Sequence, residues 1–412
     1  MMNLLFISSS ELISQLINWK NSIMVQQRSG QRIGIDARLY GPSGKGLGRY
    51  IQEITDRVVS LDKDNQYIIF LSPHSVGDCQ INQENVEKVV MTERWYTLAE
   101  QLAWPKLIRR HRLDLLHVPH FNAPLICPCR LVITIHDLIL TKFPSRRAST
   151  LSPIVYWLKN LAYRLVIGRA VKQAKVILTV SEFTKRDIIE QLAVPASKIV
   201  VTYNGVADFS QRRADKKLAD KQVLLSYNIK QPYLLYVGNA YPHKNLEWLI
   251  RLFKIWSVNH QDFSLVLVGG HDYFYQRLAK LVASLWSGQT KAPVILPGFV
   301  PDEQLAVLYR SAALYIFPSR YEGFGLPALE AMSYGCPVVS SNSSCLPEIF
   351  GQAAVYFADN QMDSAIMAID QLLNNPSQRQ QIVQRGFEQI KLYSWATCAE
   401  QTLAIYRQLL KG

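Results

Sequence analysis

RIGIDARLYGPSGKGLGRYIQEITDRVVSLD, residues 32–62, carries three signals in order: a short apolar run, a turn holding Gly41, Gly44, Gly46 and Gly48, and an amphipathic stretch free of glycine and proline. A buried strand, a glycine turn and a helix make the opening unit of a parallel α/β sheet. The alternation continues through QYIIFLS, a helix near 97–111, DLLHVPH, RLVITIHD, a helical stretch from Pro153, AKVILTVS, EFTKRDIIEQL and KIVVTYNGV. Strands joined by helices cover a parallel sheet on both faces, so residues 31–208 are expected to form one doubly wound domain.

Residues 209–230 are polar and poor in strand signals, and read as an exposed connection. The alternation then restarts with PYLLYVGNAYPHKNLEWLIRLFKIW, FSLVLVGG, PVILPGFV, ALYIFPS, PVVSS and AAVYFA, which predicts a second doubly wound domain over 231–392. Residues 393–412 close the chain as an amphipathic helix. The length of 412 residues exceeds one core and suits this pair of domains.

Composition narrows the function. Apolar residues make up 49% and charged residues 19%, which excludes wholesale disorder. No apolar run approaches the eighteen or so residues that span a bilayer. Residues 1–30 lack a positively charged start and make a poor signal peptide; a start at Met24 is favoured over a short amphipathic anchor, and a cytoplasmic protein is expected. The six cysteines are scattered, with Cys127 and Cys129 around Pro128 in no metal or redox spacing, so reduced thiols are expected.

The net charge of +13 sits entirely in residues 1–230, which hold 32 Lys/Arg against 19 Asp/Glu, while residues 231–412 hold 13 of each. Between Asp137 and Glu182 stand eight basic residues and no acid. In that basic 142–175 segment Val155, Trp157, Leu158, Leu161, Ala162 and Leu165 recur near helical spacing. Two readings stand side by side: a basic helix on an anionic membrane surface, and a core helix with a solvated outer face. No nucleic-acid motif is present, and nucleic acid ranks last.

In parallel sheets ligands sit beyond the carboxyl ends of the strands. In the first such loop Gly46 and Gly48 allow close approach to a phosphate or sugar, and a helix beginning near Arg49 offers free N–H groups. The loop fails both the Walker and the dinucleotide spacing, and a tight turn is the alternative. Lys244 follows a buried strand and opens a helix, which suits a diphosphate; a solvated lysine is the alternative. Glu322 lies in a glycine-flanked loop and Glu330 eight residues on, inside the helix begun by Pro327. Eight helical residues span roughly 12 Å, so the two carboxylates suit separate parts of one extended ligand. His117, His120 and His136 fall at strand ends, where metal binding is a minor option and a hydrogen-bonding His136 is preferred. Asp62 and Asp64 form a DxD that reads as a surface turn.

The stretch PSRYEGFGLPALEAMSYGCPVVSSNSSCLPEI resembles the Glu-x7-Glu signature of retaining GT-B glycosyltransferases, the large nucleotide-sugar group of bacterial mannosyl- and glucosyltransferases. The resemblance runs from about residue 31 to the end. It implies two facing Rossmann-like domains, with the closing helix crossing back onto the first. It further implies that Glu322 holds the donor sugar, that Glu330 holds the ribose, and that the backbone of Gly323, Phe324, Gly325 and Leu326 meets sugar and phosphate. Lys244 matches the diphosphate lysine, near Gly238 at its strand end. His136 matches the histidine beside the anomeric carbon. Gly46 and Gly48 approach the acceptor and the leaving phosphate. The family's arginine near its lysine is replaced by Asn239 and His243, which leaves three readings: a weaker diphosphate clamp, a clamp completed by Arg49, or an impaired protein.

Front-face transfer with retention, needing no metal, follows from the resemblance. GDP-mannose is the expected donor, because GIDAR…GLGRY resembles mannosyltransferases. The expected acceptor is a lipid-linked or growing surface glycan, as in lipopolysaccharide assembly. The alternatives are a nucleotide-sugar epimerase, a phosphorylase for which no pyridoxal lysine is identified, and a non-catalytic nucleotide-sugar-binding partner in polysaccharide assembly.

Overall fold

A computed structural model describes residues 30–143, 152–206, 217–289 and 292–411. The first sheet contains β1 (Arg32–Asp36), β2 (Gln66–Leu71), β3 (Val86–Val90), β4 (Leu115–Val118), β5 (Arg130–Ile135), β6 (Val176–Thr179) and β7 (Ile199–Val201). Their order is β3-β2-β1-β4-β5-β6-β7, all parallel. The second contains β8 (Tyr233–Val237), β9 (Ser264–Val268), β10 (Val294–Gly298), β11 (Leu314–Phe317), β12 (Val338–Ser341) and β13 (Ala354–Phe357). It runs β10-β9-β8-β11-β12-β13, again parallel. These are two Rossmann-like doubly wound domains, and each has its own buried cores.

Strand order reverses between β1 and β4 in one sheet and between β8 and β11 in the other. Loops leaving adjacent strands diverge at such a point and open a crevice. The glycine turn follows β1 and the His120 loop follows β4. Lys244 follows β8 and Glu322 follows β11. Topology therefore aims the chemistry-bearing loops of both domains at one place.

The closing helix, Trp395–Lys411, belongs to the first domain's core. Trp395, Leu403 and Tyr406 pack with Tyr50, Ile54 and Val58 of the helix Lys45–Leu61. The hydroxyl of Tyr406 meets His117 Nδ1, and Thr134 Oγ1 lies 2.8 Å from the other ring nitrogen.

Several local expectations change. The helix after the glycine turn begins at Lys45, not near Arg49, because Gly48 lets the turn fold tightly; a Cβ there would lie 2.2 Å from the Gly41 carbonyl oxygen. β3 has no strand signal in the sequence, since VEKVV is a half-exposed edge strand whose glutamate and lysine mask its apolar alternation. The stretch read as a connection contains a helix, Lys217–Ser226, while residues 207–216 fall outside the described residues, as does most of the 1–30 extension. Asp62 is no surface residue: it is buried and accepts from the Tyr67 hydroxyl and from Asn65 Nδ2, each at 2.7 Å, whereas Asp64 is exposed.

The basic segment forms the helix Pro153–Gln173. Ile167, Ala170 and Val171 bury its last turns, yet Trp157 and Leu165 are each 63% exposed and Leu158 and Leu161 also face water. Among the described side chains the core reading holds for Tyr163 and the carboxyl end, and fails for the face that carries Trp157, Leu158, Leu161 and Leu165. Arg146 and Arg147 fall outside the described residues. Among the described residues no helix is long and apolar enough to cross a membrane.

Candidate active site

A cleft of about 840 Å3 opens between the domains at the two switch points. Gly46, His120 and Asp137 line it from one side, and Asn239, Lys244 and Glu322 from the other. A site of this size suits a small ligand held by a few convergent polar groups.

Lys244 ends a single 3-10 turn, Pro242–Lys244, and Asn245 then takes a left-handed conformation before the helix Leu246–Trp256. The backbone N–H of Arg320 donates to the His243 carbonyl at 2.8 Å, tying the loops after β8 and β11 together. Lys244 Nζ consequently reaches both Glu322 oxygens, at 2.6 and 2.7 Å. The Ser344 hydroxyl accepts from the Glu322 N–H at 3.0 Å and fixes the loop. Both side chains are nearly buried, so their charges interact far more strongly than on an open surface.

His136 leaves β5 and meets this loop through backbone. A Cβ on Gly323 would stand 1.9 Å from the His136 carbonyl oxygen, so only glycine permits the approach. Ser181 Oγ donates to the Gly323 carbonyl at 2.8 Å. The His136 ring packs edge-on against Tyr50, and its Nε2 lies 3.1 Å from the Pro119 carbonyl. Donation to that carbonyl leaves Nδ1 as the acceptor. Burial pulls its pKa down to about 4, so the ring is neutral at pH 7. Burial also pushes the Asp137 carboxyl above its ordinary value; Lys244 opposes this and Glu322 adds to it.

Glu330 lies in the helix Leu326–Ser333, which Gly325 precedes as its cap. Arg49 of the first domain grips Glu330 with Nη1 and Asp302 with Nη2, the latter at 3.0 Å, and the Tyr309 hydroxyl donates to Glu330 at 3.2 Å. Burial raises the Glu330 pKa while Arg49 and Tyr309 pull it the other way. A second bridge is made by Glu348, whose carboxylate accepts from the free N–H groups of Glu182 and Phe183 at 2.7 and 2.8 Å. An acidic group at the start of the helix Glu182–Leu192 is favoured by its dipole. Tyr321 donates to Asp187 of that helix, which Lys142 also approaches at 3.0 Å.

Of the residues expected to form the site, Gly46, Lys244 and Glu322 line the cleft, whereas Gly48, Arg49, His136, Gly238, Gly323, Phe324, Gly325, Leu326 and Glu330 do not; His136 and Gly323 meet behind it through backbone, and Arg49 pairs with Glu330. Phe324 turns its ring into the core beside Tyr393 and Tyr203, so only its backbone is available. Gly238 supports the loop, its carbonyl accepting from the Tyr275 hydroxyl at 2.7 Å. The three strand-end histidines do not converge: His117 is held by Tyr406 and Thr134, His136 faces Pro119, and His120 Nδ1 accepts from the Asn122 N–H at 3.3 Å. Among the described residues no group of three or more His, Cys, Asp or Glu is arranged to hold a metal.

Neither residue at the family's arginine places supplies charge. Asn239 is neutral, and burial with the neighbouring Lys244 pulls His243 down to about 3. Arg277 and Arg320, not anticipated from the sequence, line the same cleft, as does Asp137. Arg320 stands two positions before Glu322, which was the available signal; Arg277 had none.

Two facing Rossmann-like domains, with a lysine–glutamate pair at their common crevice and a returning final helix, define a GT-B glycosyltransferase. Residues 44–208 match the family model described as Glycosyltransferase Family 4, and residues 220–389 match Glycosyl transferases group 1. The chain belongs to this glycosyltransferase family. It is similar to O-antigen chain mannosyltransferase B of Escherichia coli, 32% identical over 88% of this chain and 96% of that protein. O-antigen chain mannosyltransferase RfbU of Salmonella typhimurium is 29% identical over 68% of this chain and 71% of its own length. The crystal structure of WaaG, a glycosyltransferase involved in lipopolysaccharide biosynthesis, superposes with a TM-score of 0.69 at 16% identity, covering 90% of this chain and 99% of that one.

Proposed function

We propose that the protein moves mannose from GDP-mannose, with retention of configuration, onto a lipid-linked or growing surface glycan. The observation that carries this reading is the Lys244–Glu322 pair at the interdomain crevice; the likeness to an O-antigen chain mannosyltransferase over most of both chains supports the choice of sugar and acceptor.

A donor entering the cleft exchanges one ion pair for two contacts: its diphosphate takes Lys244 and its sugar hydroxyls take Glu322. Its ribose takes Glu330, and the guanidinium of Arg49, released there, turns to the diphosphate in place of the missing arginine. Phe324, Gly325 and Leu326 offer backbone N–H groups at the start of a helix to the same charge. The bond from the anomeric carbon to the diphosphate oxygen then breaks, and the acceptor oxygen bonds to that carbon from the same face. The acceptor's proton passes to the departing diphosphate, which leaves as GDP. Lys244 and the helix start stabilise the charge growing on it. Neutral His136 orients the sugar beside the reacting carbon. Closure of the domains on the donor would limit capture by water.

The exposed Trp157, Leu158, Leu161 and Leu165, among Lys159, Arg164 and Arg169, support a peripheral position on the anionic inner face of the cytoplasmic membrane. Each cation near such a surface contributes on the order of 1 kcal/mol.

The test is a thermal-shift panel of GDP-, UDP- and ADP-sugars in EDTA, followed by transfer from radiolabelled GDP-mannose and NMR of the new linkage. Binding raises apparent stability by mass action. A selective shift with GDP-mannose and an α-linked product are expected; no shift with any nucleotide sugar overturns the assignment.

A further inference from the structure

The wall of the cleft opposite Lys244 is aromatic. Tyr96, Phe121 and Tyr163 line it together with His120. The Phe121 ring lies 4.9 Å edge-on from Tyr163, 4.0 Å from His120 and 6.2 Å from Tyr96. Tyr96 is 62% exposed and takes a left-handed backbone with φ of 61°. Such a conformation costs on the order of 1–3 kcal/mol in a bulky residue, and most of the residue stays in water, its ring meeting only Trp95 and Phe121 among the described aromatic rings. Its place needs another cause.

What holds its backbone is Glu100, a fully buried carboxylate. Thr97 and Glu100 start the helix Leu98–Arg110 in a capping-box pattern, with Thr97 Oγ1 accepting from the Glu100 N–H at 3.2 Å. Glu100 reaches back one residue further than usual and accepts from the Tyr96 N–H at 2.6 Å. Its other oxygen accepts from Asn122 Nδ2 at 2.9 Å and from Arg38 Nη2 at 2.7 Å. Arg38 is in turn gripped by Asp36 and stacks 4.1 Å from the Trp95 ring. One buried anion thus staples two separate loops, that of Tyr96 and that of Asn122, and with them Tyr96 and Phe121. Half-exposed rings held in a strained, rigid frame at a cleft mouth form a preformed surface.

We infer that Tyr96, Phe121 and Tyr163 are the acceptor subsite, and that they receive a hexopyranose ring by stacking on its C–H face. A pyranose has one apolar face and an equatorial fringe of hydroxyls; aromatic rings match the first, and the polar lining at Asp137 matches the second. The wall belongs to the domain opposite the Lys244 loop, so a sugar stacked there faces the proposed reacting centre. The naming of this sugar as the acceptor rests on the transferase reading above, whereas the stacking itself does not. Glu100 is a positioning residue.

The experiment is saturation-transfer difference NMR of the full chain with methyl glycosides of mannose, glucose, galactose and N-acetylglucosamine, without donor. Thermal shift with GDP-mannose runs in parallel. At least one glycoside is expected to receive saturation, strongest at the ring protons of one face. Tyr96→Ala and Phe121→Ala should each weaken that binding at least fivefold and leave the GDP-mannose shift in place, while Tyr96→Phe retains it. Saturation of no glycoside, or equal binding in both alanine variants, overturns the inference. Loss of the GDP-mannose shift in those variants overturns it too, since the rings would then hold the nucleobase. A wild-type chain that binds a glycoside through these rings and no nucleotide sugar keeps the stacking site and removes the transferase reading.

Discussion

Lys244 and Glu322, which come from loops on either side of the second sheet's switch point, form a two-pronged ion pair with Nζ 2.6 and 2.7 Å from the two carboxylate oxygens. Each member holds the other in the geometry that a phosphate and a sugar would take over. Lys244→Ala and Glu322→Ala are each expected to lower kcat by about 100-fold or more, the scale of losing one preorganised electrostatic contact. Circular dichroism should match the parent. Near-normal turnover in either variant would remove that residue from the site.

Arg49 crosses the cleft to Glu330 and Asp302. If the guanidinium moves to the diphosphate on donor binding, Arg49→Ala should raise the donor Kd about tenfold, and Arg49→Lys should recover only part, because a point charge lacks the two-pronged fork. Isothermal titration with GDP-mannose measures both. Tighter binding in Arg49→Ala would instead make Arg49 a simple competitor of the ribose.

Glu100 is buried against Arg38. Removing one partner of such a network strands the other, so Glu100→Ala is expected to destabilise the first domain by about 3–5 kcal/mol. Urea unfolding reads the loss; a shift below 1 kcal/mol would mean that water takes over the role of the carboxylate.

Buried imidazoles set an acid limit. Burial pulls His117 and His243 down to about 3 and His136 to about 4. Below the ordinary histidine value near 6.5 the unfolded chain binds protons that the native one refuses, so stability falls as pH falls. Their contribution is intact above about pH 6.5 and is lost progressively below it, down to about pH 4 for His136 and about pH 3 for His117 and His243. Unfolding midpoints measured from pH 8 to 4.5 should be flat, then decline; a constant midpoint to pH 4.5 would show these rings to be solvated.

The bottom of this molecule was legible and its cross-links were not. Buried parallel strands announce themselves as apolar runs, so twelve of the thirteen strands among the described residues can be read from sequence, and the half-polar edge strand Val86–Val90 escapes. Lys244 and Glu322 stand out in the sequence because each follows a strand among glycines or prolines, and Glu330 stands out by its eight-residue spacing from Glu322. Arg277 and the Tyr96–Glu100–Asn122 staple are not, since they depend on which loops meet across the sheet. The four-residue error in the start of the helix at Lys45 has the same source: glycine argues against helix locally, and the close approach to the Gly41 carbonyl that demands it is tertiary. Exposure of Trp157 likewise follows from where the helix docks, not from its spacing.

The closing helix has a consequence for how the chain is made. His117 and Tyr406, 289 positions apart, share one hydrogen bond inside the first core, with Trp395 and Leu403 filling the space around it. As the polypeptide leaves the ribosome, the second domain has every strand it needs before the first has its last wall. The first-born half must therefore wait, incomplete, for the last-born segment. A prematurely terminated product would expose the apolar side of Tyr50 and Ile54 to the cell's proteases and chaperones, so quality control can recognise an unfinished enzyme before it reaches a donor.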